Sequence, residues 1–129
     1  MDGLRVLVGE DHRELRRLVL SVLVSAFAVI GAVDDGDELI ETAILHQPDV
    51  IICNIDLPFM GGFGVRQELS FRGIRCPFVF TAMLGIEMSF RKEDGAVGYV
   101  HRTDVSEELN LAVGAVARKG FYVSRSFRE

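Results

Sequence analysis

The residues able to do chemistry in this 129-residue chain gather around one stretch, Pro48 to Gly62. Val50, Ile51, Ile52 and Cys53 form a short apolar, largely β-branched run, interrupted by Asn54, Asp56 and Pro58. Such a run suits a strand buried on both faces of a parallel sheet. Asn54 and Asp56 then sit at the carboxyl end of that strand, entering a Pro/Gly turn, and in open α/β sheets this rim is where ligands bind. A second polar pair, Glu10 and Asp11, follows the apolar run Leu4 to Val8 and Gly9. Two adjacent acids at a strand terminus fit a hard cation such as Mg²⁺, which favours a few carboxylate oxygens plus waters. Solvated loop charge, with Asp11 or His12 near a helix start, explains them more simply.

The elements that must position these groups alternate along the chain. Leu4 to Val8 reads as a strand, and Arg13 to Ser25 as an amphipathic helix with Leu15, Leu18, Val19, Val22 and Leu23 inward. On that reading Arg13, Arg16 and Arg17 are a solvated face. Phe27 to Val33 is the second strand, ended by Asp34-Asp35-Gly36; Asp37 to His46 is the second helix, stopped before Gln47-Pro48. After the central strand, Val65 to Phe71 is a short helix, Pro77 to Thr81 a strand, and Ile86 to Glu93 a polar helix with Ile86, Met88 and Phe90 as anchors. Gly95 to Arg102 is the last strand. Val105 to Lys119 is the last helix, with Ser106 as its expected cap. Gly120 to Glu129 does not read as a packed element. Five strands alternating with five helical stretches imply a parallel sheet with helices on both faces.

Composition sets the class. With 129 residues and 49% hydrophobic content, one well-filled domain is expected. Met1 to Arg5 leads straight into a strand and no apolar run reaches the roughly 20 residues of a bilayer span, so the default is a cytoplasmic protein without membrane contact. Net charge is −5, without a basic cluster clear of acidic neighbours before the final residues, so the domain by itself is a poor nucleic-acid binder. Cys53 and Cys76 show no metal-ligand spacing and are expected to be small buried residues in a reducing compartment.

The stretch Asn54-Ile55-Asp56-Leu57-Pro58-Phe59-Met60-Gly61, with Glu10-Asp11, Thr81-Ala82 and Gly95-Ala96-Val97-Gly98-Tyr99-Val100-His101-Arg102, resembles the receiver (CheY-like) domain of two-component response regulators. The tail Gly120-Phe121-Tyr122-Val123-Ser124 resembles the NarL/FixJ (LuxR-type) group. The resemblance covers nearly the whole chain and implies a flavodoxin-like, doubly wound five-stranded parallel sheet in the order 2-1-3-4-5. Residues 1–120 are then the receiver domain, and 121–129 a tail or the start of a linker to a helix-turn-helix output domain. It also implies roles: Glu10, Asp11 and the backbone carbonyl of Asp56 as Mg²⁺ ligands, Thr81 and Tyr99 as switch positions, and the face of the fourth helix, fifth strand and final helix, near Met88, Phe90, Tyr99 and Val100, as a homodimer or output surface. Its partner is a sensor histidine kinase or another regulatory protein, and its role is regulatory rather than enzymatic.

Two positions depart from that pattern. Asn54 stands where the phosphoacceptor aspartate is expected, and Arg102 where the family has lysine. A neutral carboxamide is a poor nucleophile and adds no charge to a cation site. One unit charge at about 4 Å is worth roughly 4 kcal/mol at an effective dielectric of about 20, so Mg²⁺ is expected to bind weakly or not at all. Guanidinium prefers bidentate carboxylate pairing, which predicts that Arg102 bridges Glu10 or Asp11. Asp56 is a rival acceptor, weighed against a turn that swings its side chain to solvent. Three readings follow: a phosphorylation-independent receiver, an ordinary receiver with an engineered Asp-to-Asn substitution, and a small flavodoxin-like enzyme or nucleotide binder, the last lacking a Gly-rich phosphate loop after the first strand.

Overall fold

The computed structural model describes residues 3–83 and 95–128. Within them the chain runs β1 (Arg5–Gly9), α1 (Arg13–Leu23), β2 (Ala28–Val33), α2 (Gly36–His46), β3 (Val50–Asn54), α3 (Gly61–Phe71), β4 (Phe78–Ala82) and β5 (Val97–His101). A single 3₁₀ turn, Arg102–Asp104, leads into α4 (Val105–Ala117), followed by β6 (Tyr122–Val123) and α5 (Arg125–Arg128). The helix expected over Ile86 to Glu93, with Met88 and Phe90, lies outside the described residues.

The strands pair in parallel in the order β2-β1-β3-β4-β5-β6, so the first five take the expected 2-1-3-4-5 arrangement. Alternation along each strand sends side chains to opposite faces. On one face Val6, Val8, Ile52 and Val100 pack with Leu15, Val19 and Leu23 of α1 and Leu109, Val113 and Val116 of α4. On the other, Leu7, Ile51, Phe80 and Tyr99 meet Leu39 and Ile40 of α2 and Val65 and Leu69 of α3. β3 lies in the middle and is buried on both faces from Val50 to Cys53. Both cysteines are free thiols, and burial pushes both up, that of Cys76 to about 12.

Helix starts are set locally. The Nδ1 of His12 accepts the Leu15 N–H at 3.3 Å and caps α1, and Asp35 Oδ1 accepts the Glu38 N–H at 2.9 Å and caps α2. α2 ends at Gln47, in the left-handed region before Pro48, while the Arg5 guanidinium donates to the carbonyls of His46 and Gln47. Ser106 does not cap α4. The N-cap position is Asp104, whose carboxylate is occupied elsewhere, and Ser106 lies inside the first turn.

The tail corrects the expectation that Gly120 to Glu129 forms no packed element. β6 pairs with β5, Gly98 opposite Tyr122 and Tyr99 opposite Val123. Ser124 is fully buried; its N–H donates to the Tyr99 carbonyl at 2.8 Å and its hydroxyl accepts the His101 N–H at 2.8 Å. The side chain of Tyr122 donates to Glu108 at 2.6 Å, the Arg125 N–H donates to Glu108, and Ser126 donates twice to Asp104. Burial and the Glu108 carboxylate push the Tyr122 hydroxyl up to about 12. Burial alone would raise Asp104, but hydrogen bonds from Ser124 and Ser126 outweigh it and hold the carboxyl below its ordinary range. The tail was missed because it is too short to show a period, and because its polar partners, Asp104 and Glu108, are single acids around the start of α4 whose burial the sequence does not announce. Tyr99 and Val100, expected near a partner surface, are buried, Val100 in the layer of α1 and α4 and Tyr99 in the other layer, where Phe121 of the tail meets it.

At the start of α3, a Cβ on Gly62 would lie 2.9 Å from the Asn54 carbonyl oxygen and 2.9 Å from Cδ1 of the Phe80 ring, so the helix approaches β3 closely only with glycine there. Gly62→Ala is expected to lower stability by about 1–3 kcal/mol, read as a shift of the urea midpoint at unchanged slope.

Candidate functional site

The carboxyl ends of β1, β3, β4 and β5 meet at one rim, with Gly9 beside Cys53, Asn54 beside Thr81 and Ala82 beside His101. Over this rim lies a cleft of about 220 Å³ whose polar lining includes Asp11, His12, Asn54, Asp56 and Arg102. The sequence-predicted residues are therefore brought together, but with a different internal wiring.

Glu10 is 2% exposed and holds the centre. The Asn54 amide Nδ2 donates to both of its carboxylate oxygens, each at 3.0 Å, and the His12 N–H donates to Oε2 at 3.0 Å. The other end of the same amide, Oδ1, accepts the Asp56 N–H at 2.8 Å. Asn54 thus spans from β1 to the β3–α3 turn with both of its polar atoms engaged. Burial pushes the Glu10 carboxyl up, the neighbouring Asp11 charge adds to this, and the hydrogen bonds from His12 and Asn54 partly offset it.

A metal ion at this place needs oxygens facing it. Here the Glu10 oxygens are engaged by N–H donors of Asn54 and His12, while Asp11 and Asp56 line the cleft beside them.

Arg102 does not bridge Glu10 or Asp11. Its Nη1 lies 3.0 Å from the Met83 sulfur, because Glu10 is already satisfied from beneath and Arg102 has left the strand for the 3₁₀ turn. Arg16, read as part of a solvated face, instead reaches back: its Nε donates to the Glu10 carbonyl at 3.1 Å and its guanidinium pairs with Asp34, while Arg13 and Arg17 are exposed as expected. The parallel pairing of β1 with β2, which sets Glu10 beside Val33 and so near Asp34, was the signal for that strut. Asp56 is exposed in the turn, beyond the end of β3.

Thr81 and Tyr99 are the two positions that the resemblance gives as a switch. Thr81 lies directly across from Asn54, 1% exposed, and its hydroxyl oxygen has no hydrogen-bond partner among the described residues. An unpaired buried hydroxyl costs roughly 1–3 kcal/mol. Tyr99 stacks on Phe80 at 5.8 Å and meets Phe121 edge-on at 6.1 Å, in a row that continues from Phe80 to Phe78 at 5.3 Å. In the β3–α3 turn, Phe59 adopts φ 82 and is 80% exposed, an unusual conformation for a bulky residue.

Comparison with known proteins agrees with this geometry. The family model "Response regulator receiver domain" matches residues 6–113. The chain belongs to that family. Among curated relatives, the transcriptional regulatory protein PdtaR of Mycobacterium tuberculosis is 30% identical over 115 residues, covering 84% of this chain and 56% of PdtaR. The cell cycle response regulator CtrA of Brucella ovis is 28% identical over 118 residues, covering 90% of this chain and 51% of CtrA. The protein-glutamate methylesterase/protein-glutamine glutaminase of Symbiobacterium thermophilum is 31% identical over 116 residues, 85% of this chain and 32% of that protein. The chain thus spans about half or less of the length of these relatives. Among solved structures, the isolated receiver domain of RcsB from Salmonella enterica serovar Typhimurium, in the presence of the phosphomimetic BeF₃⁻, superposes with a TM-score of 0.79 at 14% identity over 98% of this chain and 96% of that one. A LuxR-family response regulator from Staphylococcus aureus gives 0.75 at 19% identity over 88% of this chain and 98% of that one. These similarities establish the CheY-like fold. No described helix is long and apolar enough to cross a membrane.

Two outcomes follow, one from the Glu10–Asn54 contact and one from the burial of Glu10. Asn54→Asp replaces the donor with a second carboxylate against Glu10, so the variant is expected to be about 1–3 kcal/mol less stable than the native chain in EDTA. It should recover on adding Mg²⁺, whereas the native melting temperature should not respond; differential scanning fluorimetry reads both. Because the folded-state pKa of Glu10 is raised above its ordinary 4.5, the stability it contributes is present below that value and lost as pH rises through the raised pKa. Glu10→Gln should flatten that part of the stability–pH curve measured by urea denaturation.

Proposed function

We propose that this receiver domain signals without phosphoryl transfer. The observation that carries the reading is the Asn54 amide seated on both oxygens of Glu10. A receiver of the ordinary kind needs an ionised carboxylate at this position to attack phosphorus and to share a divalent cation. In this chain the position supplies a neutral group whose amide nitrogen is a donor, and the acid that would face the cation is already satisfied. Mg²⁺ is weak or absent at this site. Arg102, turned to Met83, is not aligned on Asn54 as a phosphate-binding cation.

On this reading the conformation is set by protein partners or by an attached output domain. The relatives are longer than this chain, and two of those described are regulators by name, which supports a transcription-regulating whole protein; the NarL/LuxR type rests on the resemblance of the tail Gly120 to Ser124. A histidine kinase or another regulatory protein in the cytoplasm is the expected partner, and a homodimer would use the face of the fourth helix, β5 and the final helix α4 rather than the β5 edge, which β6 occupies. The domain itself is regulatory and performs no catalysis.

A second reading keeps a specific observation on its side. Thr81, with its unpartnered hydroxyl opposite Asn54, together with Glu10 and Asp11, is the equipment of a phosphoryl-responsive pocket. It fits an ordinary receiver in which the acceptor alone has been substituted. Incubating the native chain and Asn54→Asp with acetyl phosphate and Mg²⁺, and reading intact mass, separates the two. Expected is no adduct on the native chain; a phosphoryl group on Asn54→Asp alone favours the substituted receiver, and none on either favours a pocket that has left phosphoryl chemistry. An adduct on the native chain overturns the proposal and directs attention to Asp56.

A further inference from the structure

The C-terminal segment is held by groups that have no other visible task. Asp104 and Glu108 are 4% and 8% exposed, and among the described residues their side-chain hydrogen bonds all come from residues 122–126. A buried carboxylate must be satisfied by hydrogen bonds or it destabilises the fold. Docking of the segment and burial of these two carboxylates are therefore one event. Strand pairing adds to it, since the Ser124 N–H and hydroxyl join the Tyr99 carbonyl and the His101 N–H.

The contacts of the segment fall on the positions that lead to the cleft. Phe121 meets Tyr99 edge-on at 6.1 Å, and Tyr99 in turn stacks on Phe80, which precedes Thr81. Phe127 meets the His101 ring edge-on at 5.2 Å. Asp104 ends the 3₁₀ turn that Arg102 begins, and Arg102 lines the cleft. Residues 99, 101 and 104 are thus each held by the segment, and Arg102 lies between two of them.

We propose that residues 121–128 are a latch: docked on the β5 edge, they hold Tyr99 inside the aromatic row and Arg102 at the cleft, and their release frees both. The inference rests on the phosphorylation-independent reading, because it supplies the input that a phosphoryl group supplies elsewhere. A partner that binds the segment changes the state of the rim. The occupant of the edge in the closed state is this chain's own segment, specified by the pattern Tyr122-x-Ser124-x-Ser126 matching Glu108, the β5 edge and Asp104.

The test is amide hydrogen exchange with NMR of the aromatic rings on the full chain, native beside Ser124→Pro, which removes both the Ser124 N–H and its hydroxyl. Expected is exchange about tenfold or more faster at 121–128 in the variant, accompanied by faster exchange at 98–104 and a shifted Tyr99 ring resonance, with β1 and β3 protection kept. Faster exchange confined to 121–128, with 98–104 and the Tyr99 ring unchanged, overturns the latch. If Ser124→Pro does not fold, native-state exchange at low denaturant decides: a shared opening step for 121–128 and 99–104 supports the latch, and separate opening overturns it. Intact mass after acetyl phosphate treatment is read on the same native sample. A phosphoryl adduct there removes the phosphorylation-independent reading, and with it the latch as the sole input, whatever the exchange data show.

Discussion

A single side-chain amide organises the rim of this domain. Asn54 reaches from the end of the central strand to both oxygens of a buried glutamate just after β1, and its other atom fixes the turn that leads into α3. Glu10 is in turn tied to the start of α1 through the His12 N–H, and its carbonyl to Arg16 and so to the end of β2. Four elements thus converge on a charge that would be costly to bury alone. An aspartate at position 54 would make the same place repulsive until a cation entered; asparagine makes it cohesive without one.

Much of the fold was legible because it is written in periodicity. The apolar β3 run, the inward Leu15, Val19 and Leu23 of α1 and the order of alternating elements all follow from burial, and burial dictates residue type; Leu18, expected inward, is instead 36% exposed. The site residues were legible through strand ends: in a parallel sheet the carboxyl termini share one rim, so Glu10, Asn54, Thr81 and Arg102 had to be near one another. Their partners were less readable. A preference of guanidinium for carboxylate says nothing about whether that carboxylate is already taken, and Arg102 found Glu10 engaged by Asn54 and turned to Met83. Arg16 was hidden for the converse reason. A charged residue one turn into a helix looks like solvated surface until the neighbouring strand end is placed beside it.

The C-terminal segment shows the same limit more sharply. Its packing depends on Glu108 and Asp104, which in the sequence look like ordinary acids of the first helical turn, a place where the helix dipole favours them anyway. Only the fold reveals that both are buried and that hydroxyls and backbone N–H groups of residues 122–126 complete them. Aromatic contacts then join this polar lock to the sheet interior, from Phe121 through Tyr99 and Phe80 to Phe78. Polar specificity and apolar continuity meet on β5, the strand that also leads to the cleft.

The parallel pairing of β6 carries a consequence for the order of events in biosynthesis. A strand can be paired only by sequence already made, and β5 needs residues 122 and 123, which follow a whole helix after it. While α4 is emerging from the ribosome, the outer edge of β5 therefore remains an unpaired row of backbone groups beside two carboxylates awaiting their donors. The β1–β3 half of the sheet can consolidate early, and the β5 side closes last. The interval between the two is when this side of the sheet is open to strand addition by another chain.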